Sequence, residues 1–348
     1  MASATDLGEA RRAADELLAF ALGVPLAKRI DLSTPAGFDR AVAALAGRLR
    51  GVAAADERLA VRDAVHALDV DWSRTTADQR RRLIADAMRR AGRHVQAVPA
   101  RLDAPLGDAA VEVVSSTRSW ARRRQRLAIG VEPNALDRRI IRHVVRSQAL
   151  FVTDAYGRRL DDLGQRVKQL VAAGLEAGRD RTDIAAELAA AAEGALTGRS
   201  KFYWEVVAGA FVGRARSFAQ MSSYAEAGIE RFRVVAVLDA ATTLTCRFLH
   251  GKTFTVRLAL AGFDRVEQLA RPEDVKRASP WVRSKGGVLF VDHTSGRRDL
   301  AEVVRSGVGA NDDIGEFRSR IDDAGLEGVG LGPPPYHGLC RSSSVPIS

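Results

Sequence analysis

The chain has 348 residues, 46% of them apolar and 28% charged, and a formal charge of +10 from 53 basic and 43 acidic side chains. That length buries a sizeable core and that composition excludes a disordered or fibrous chain, while no run reaches the roughly 18–20 apolar residues a membrane span needs. Two cysteines exclude a disulfide-rich scaffold, and the positive balance favours anionic partners without selecting one.

The opening residues MASATDLGEARRAADELLAF place acids and arginines where a secretion signal would be apolar, so the cytoplasm is the default location. Alanine, leucine and arginine dominate the first two thirds, which predicts helices near 9–22, 34–68, 76–97, 106–128 and 135–155. Pro99 and Pro105 bracket a connection. Leu160, Leu163, Val167, Leu170 and Gly174 then form one helical stripe, with Gly178 as a stop and Thr182 as the cap of the next helix. A longer helix runs from near Lys201 to Gly228, its stripe of Trp204, Val207, Phe211, Ala215, Phe218, Met221 and Tyr224 reading as core rather than as a cofactor box. After Gly228 the pattern turns β-branched and alternating. Residues 231–239, 252–258 and 286–293 read as short strands, and 305–332 as a Gly/Asp-rich loop with one short helix. The expected fold class is α+β: a mainly helical N-terminal region, then a small α+β domain with short antiparallel strands.

Polar residues gather at two places. Asp239, Thr242, Thr243, Cys246, Arg247, His250 and Gly251 form one group, and His337, Cys340 and Arg341 the other. Cys246 and His250 are four apart and His337 and Cys340 three apart, so two such pairs brought together would offer zinc a Cys2His2 tetrahedron. A Cys246–Cys340 disulfide and two unlinked cysteines in a buried polar seam stay open beside that metal site. A nucleophile set of Cys246, His337 and Asp239 is a further alternative, although no glycine-flanked elbow surrounds Cys246. His293 is a spare ligand or base, and more simply a strand-end histidine. Pro334 and Pro335, followed by Tyr336, set an extended approach that clamps the C-terminus against residues 239–251.

Residues 71–130 carry 13 arginines against six acids. Arg80, Arg81, Arg82, Arg89 and Arg90 form one cluster, and Arg122, Arg123, Arg124 and Arg126 a second. Such density suits phosphate contacts that do not read bases, and equally a solvated helix face. No helix-turn-helix, finger, nucleotide loop or HExxH accompanies it. The expectation is a chain that is not an enzyme.

The segments ARSFAQMSSYAEAGIERFRVVAVLDAATTLTCRFLHGKTF and GPPPYHGLCRSSSVPI together resemble the phage head morphogenesis family, the Mu F-like minor capsid proteins. The shared pattern falls on Asp239, Thr242 or Thr243, Cys246, Arg247 and Gly251, then on Pro334, His337, Cys340, Arg341, Val345 and Pro346. It covers about residues 200–348, within a head morphogenesis domain expected over 141–348; residues 1–140 form an Arg-rich helical region outside it. Many members carry a further cysteine in each half, where this chain has Thr243 and Ser342. The resemblance implies a low-copy structural component of a tailed-phage or phage-derived head, made in the bacterial cytoplasm and ending near the portal. Portal or major capsid protein and nonspecific double-stranded DNA are the implied partners, and no membrane is expected. The alternatives are a cysteine- or metal-dependent enzyme or toxin using Cys246, His337 and Asp239, and a nonspecific DNA-binding protein.

Overall fold

The computed structural model describes residues 31–197, 200–293 and 296–347. The helix expected over 9–22 lies outside them. Thr34 caps α1 (Pro35–Leu68) by accepting the Gly37 amide, and Pro35 sits in the first turn, where its missing N–H costs nothing. A reciprocal capping box of Thr76 and Gln79 opens α2 (Ala77–Val95), and another of Asn134 and Asp137 opens α4 (Ala135–Glu176). Between them α3 (Val98–Arg124) starts earlier than its prolines suggest. Pro99 occupies the first turn and Pro105 is carried inside the helix, whose buried face of Leu102, Leu106, Ala110 and Val114 outweighs the lost hydrogen bond.

The segments expected as 135–155 and as the Leu160–Gly174 stripe are one continuous helix, α4, about 63 Å long at 1.5 Å per residue. Residue 140 falls inside it. Asp180, not Thr182, caps α5 (Arg181–Leu196), because its carboxylate accepts the Asp183 amide. The long aromatic helix is α6 (Ser200–Glu226). These helices pack around one apolar core running from Phe38 and Leu45 through Trp72, Val113, Ile140 and Leu163 to Trp204 and Phe211. Among the described residues no helix is long and apolar enough to cross a membrane.

A second core lies beyond α6 and uses its last turns, Met221 and Tyr224, as one wall. Strand β1 (Arg231–Val235) is shorter than the predicted 231–239, because Asp239 accepts the Ala241 amide and the Thr242 hydroxyl and turns the chain. After the short helix α7 (Leu244–Leu249) comes β2 (Thr253–Thr255). Thr255 then caps α8 (Val256–Glu267), so the predicted strand 252–258 is half helix: Val256, Phe263 and Val266 face inward at helical spacing. Helix α9 (Pro272–Ala278) leads to a four-stranded antiparallel sheet, β3 (Arg283–Lys285), β4 (Val288–His293), β5 (Gly296–Arg305) and β6 (Glu316–Ser319) in that order. A short α10 (Asp323–Gly328) follows, and the chain returns in β7 (Ser343–Ile347). There β7 pairs antiparallel with β1, Arg231 opposite Ile347 and Val235 opposite Ser343, giving the sheet order β2-β1-β7. A largely helical first part followed by a small mixed domain of short antiparallel strands is thus the architecture.

Candidate metal centre

Thr243 caps α7 and accepts the Cys246 amide, which sets Cys246 in the first turn with its thiol buried beneath the helix. From the other end of the domain, the segment before β7 lies directly on the backbone of α6. A Cβ on Gly209 would stand 2.4 Å from the Gly338 carbonyl oxygen, and one on Gly213 would stand 3.1 Å from Pro335. At Gly209 only a glycine allows this approach, while a side chain at Gly213 would press Pro335 aside by a few tenths of an ångström. The seated segment turns at His337, whose carbonyl accepts the Cys340 amide.

The two segments meet at three side chains. Cys246 Sγ is 3.2 Å from His337 Nε2 and 3.6 Å from Cys340 Sγ, and the three ligand atoms lie within 4.8 Å of one another. Both cysteines are free and buried. A tetrahedral zinc with Zn–S near 2.3 Å and Zn–N near 2.0 Å would separate its sulfurs by about 3.8 Å and sulfur from nitrogen by about 3.5 Å. The two separations made by Cys246 differ from these by a few tenths of an ångström, and the third pair, Cys340 Sγ and His337 Nε2, lies within 4.8 Å. Cys340 is fully buried, His337 is half-buried, and Thr243, whose hydroxyl oxygen is 3.3 Å from His337 Nε2, is exposed. The cluster is therefore closed on the cysteine side and open on the Thr243 side.

The two thiols share their protons unequally. Its contact with Cys340 first, and then burial, push the Cys246 thiol up. Burial also opposes ionisation of Cys340, but contact with Cys246, the charge of His337, the Tyr336 amide and the Ser342 hydroxyl outweigh it and pull Cys340 down. Ser342 Oγ itself is buried and has no partner of good hydrogen-bond geometry. It stands where the resemblance leads one to expect a further cysteine.

His250, expected as a fourth ligand, is not part of this group. Its Nδ1 accepts the Ala236 amide at 3.1 Å. Helix α7 ends at Leu249, and His250 leaves it with φ −58° and ψ 130°, so a four-residue spacing no longer places it beside Cys246. Burial, and secondarily Arg233, lowers its pKa and keeps it neutral in this role. Gly251 follows at φ +81°, a backbone only glycine adopts cheaply, and donates its amide to Val234.

The other sequence candidates surround the cluster. Arg341 donates to Asp239 at 2.7 Å; burial opposes ionisation of Asp239, but Arg341, Thr242 and the Ala241 amide hold it below the usual carboxylate range. That carboxylate oxygen is committed to the turn and to Arg341, not to orienting His337 as a nucleophile set would require. Arg247, fully buried, donates to the carbonyls of Thr242, Asp239 and Ala310 at 2.7–3.1 Å. The single Thr242 hydroxyl proton is shared between Asp239 and the Val237 carbonyl, and its oxygen accepts the Asp239 amide. His293 ends β4, in the other sheet. Pro334, Val345 and Pro346 lie on the returning segment, Pro346 opposite Phe232.

Sequence reasoning missed Arg216, which donates to the carbonyls of Leu32, Arg341 and Ser342 and so ties α6 to the residues flanking the cluster. Burial pulls it down to about 10, with Cys340 opposing, so it stays charged at neutral pH. Its signal was its position beside the aromatic stripe of α6. A second fastening joins Tyr224, Gln125 and Gln220 to the Ser344 carbonyl.

The basic clusters lie elsewhere. On α2, Arg80 bonds Thr75, Arg81 pairs with Asp78, and Arg89 and Arg90 share Asp86, while Arg82 is exposed. Arg122, Arg123 and Arg124 are exposed at the end of α3, and exposed Arg126 follows with φ 57°. An open groove of about 740 Å³ between α4 and α5, lined by Leu163, Leu170, Ala173 and Ala191 among others, holds no cysteine or histidine.

The expectation of a chain that is not an enzyme is overturned by this cluster. Buried thiols and an imidazole in ligand range of one another are equipment for metal binding and for metal- or thiol-dependent chemistry. Comparisons with family models, curated proteins and solved structures found no match for the chain.

Proposed function

We propose that the chain is a metal-dependent protein in which Cys246, His337 and Cys340 hold one divalent ion of the zinc class. The observation that supports this is the mutual spacing of their three ligand atoms, drawn from segments 94 residues apart. Structural zinc sites close with four protein ligands; three ligands and an exchangeable fourth position is the form in which zinc polarises a carbonyl or activates water. With His250 turned away, the fourth position faces the Thr243 side. The ion also fastens α7 to the returning C-terminal segment.

The test is metal analysis of the full chain and its variants. One zinc per chain is expected, with affinity reduced more than about 100-fold in Cys246→Ser, Cys340→Ser and His337→Gln, and retained in His250→Gln. Cobalt in place of zinc should show thiolate charge-transfer bands and tetrahedral visible bands that move when azide is added. A chain that binds no stoichiometric metal sinks the reading, and cobalt bands indifferent to azide sink the open position.

A second reading is a place in phage head assembly. It is favoured by the meeting of the two halves of the Mu F-like motif at one centre, where Arg341 reaches Asp239 and Cys340 reaches Cys246. Portal or capsid protein would be the partner, and the exposed arginines of α2 and α3 would face packaged DNA. Co-expression with portal and capsid proteins tests it: co-sedimentation with the assembled head supports it, and a chain that stays at the top of the gradient removes it.

A further inference from the structure

Cys246 and Cys340 are within 3.6 Å without being bonded, and they differ in access. Cys246 is 4% exposed and lies one turn from the exposed cap residue Thr243, while Cys340 is 0% exposed behind it. A small oxidant arriving from the Thr243 side meets Cys246 first. The second sulfur already lies within van der Waals contact, and about 1.5 Å of approach would bring the pair to a disulfide length near 2.05 Å. Cys340 belongs to the segment 336–342, which joins the α6 contacts to β7 outside any helix or strand, so the approach falls to the two cysteine side chains and the adjoining turn.

We infer that Cys246 and Cys340 form a hydroperoxide-sensitive dithiol, with Cys246 attacked and Cys340 resolving. In the first step the Cys246 sulfur attacks the peroxide O–O bond and its thiol proton passes to the leaving oxygen, giving the sulfenic acid Cys246–SOH and releasing water from hydrogen peroxide or an alcohol from an alkyl hydroperoxide. In the second, the Cys340 sulfur attacks the Cys246 sulfur; the S–S bond forms, the S–O bond breaks, and the hydroxide leaves as water, taking the Cys340 proton or, where that thiol is already ionised, one from solvent. Two thiols lose two electrons and the peroxide gains them. The disulfide removes two of the three ligands at once. On the metal reading above, on which this consequence alone rests, oxidation releases the ion while a covalent link keeps α7 fastened to the C-terminal segment. A peroxide signal would switch the centre off without unfolding it.

The experiment treats the full chain, zinc-loaded and zinc-stripped in parallel, with a few equivalents of hydrogen peroxide. Intact mass, free-thiol titration and a chromogenic zinc chelator are followed together. Expected are the loss of two hydrogen atoms by mass, the disappearance of both thiols in each form, and zinc release at least about tenfold faster than without peroxide. In zinc-stripped Cys340→Ser, dimedone should trap a sulfenic acid at Cys246, and Cys246→Ser should leave Cys340 largely unreacted. Two thiols surviving in the zinc-stripped chain, or oxidation running to sulfinic acid without a disulfide, overturns the inference. Zinc that binds and survives peroxide overturns it while leaving the metal reading intact. Disulfide formation in a chain that never binds zinc supports the dithiol and removes the metal.

Discussion

Arg247 shows how much a single side chain contributes to the centre. It is fully buried, and its guanidinium gathers three carbonyls from the turn before α7 and from the loop that follows β5. Arg247→Met would fill similar volume but leave those carbonyls unpaired, at a cost of about 2–4 kcal/mol measurable by urea unfolding. His143 makes a different kind of prediction. It is packed edge-on against Phe218 and Phe263, and burial first, then Arg214 and Arg146, lower it to about 4, with Glu267 opposing. The unfolded chain takes up that proton near pH 6.5, which the fold resists until about pH 4. The contribution is therefore complete above about pH 6.5 and lost as pH falls toward 4, about 3 kcal/mol in all. His143→Leu should flatten the acid limb of the stability profile between those values; an unchanged limb would show that His143 is not its source. At this scale the sequence revealed the residue types and missed their directions. Cys246, His337 and Cys340 were legible as ligand chemistry. His250 was misleading because helical spacing says nothing about where the helix stops, and Arg216 was hidden among stripe residues.

Among the elements, α6 and the returning segment decide whether the centre exists. Gly209 gives way to the Gly338 carbonyl, and a Cβ on Gly338 would in turn lie 2.5 Å from Val206. Gly209→Ala should push the His337 turn outward, costing about 1–3 kcal/mol and weakening metal binding at least about tenfold. Gly194→Ala, in open space on α5, should instead be neutral or stabilising by up to about 1 kcal/mol. Equal effects of the two on metal affinity would contradict the account. The long helices were legible because their apolar periods run for many turns and their caps are Thr34, Thr76 and Asn134. Short elements were not. Thr255 ends a strand and caps a helix within one residue, and β5 reads as polar because GRRDLAEVVR keeps only its middle, Leu300 and Ala301, in the core. The pairing of β7 with β1 joins residues more than a hundred positions apart, which no local pattern announces.

Across the whole molecule, two cores share α6, with Trp204 and Phe211 in the helical core and Met221 and Tyr224 in the second. The excess positive charge is not concentrated at the centre. Several arginines of α2 are offset by Asp78 and Asp86, so any DNA binding should be weak, indifferent to sequence and largely lost between about 50 and 200 mM salt. Filter retention across that range checks it, and a sequence-dependent or salt-resistant complex would contradict it. Metal binding to the folded state alone should raise its stability by about 2.7 kcal/mol at a free concentration one hundred times Kd, a gain that a chelator reverses and Cys246→Ser abolishes. X-ray absorption at the zinc edge of the loaded full chain tests the central claim most directly. The account predicts two sulfurs near 2.3 Å, one imidazole nitrogen and one exchangeable oxygen or nitrogen donor. A shell with a second histidine, or one without paired sulfurs, would contradict it.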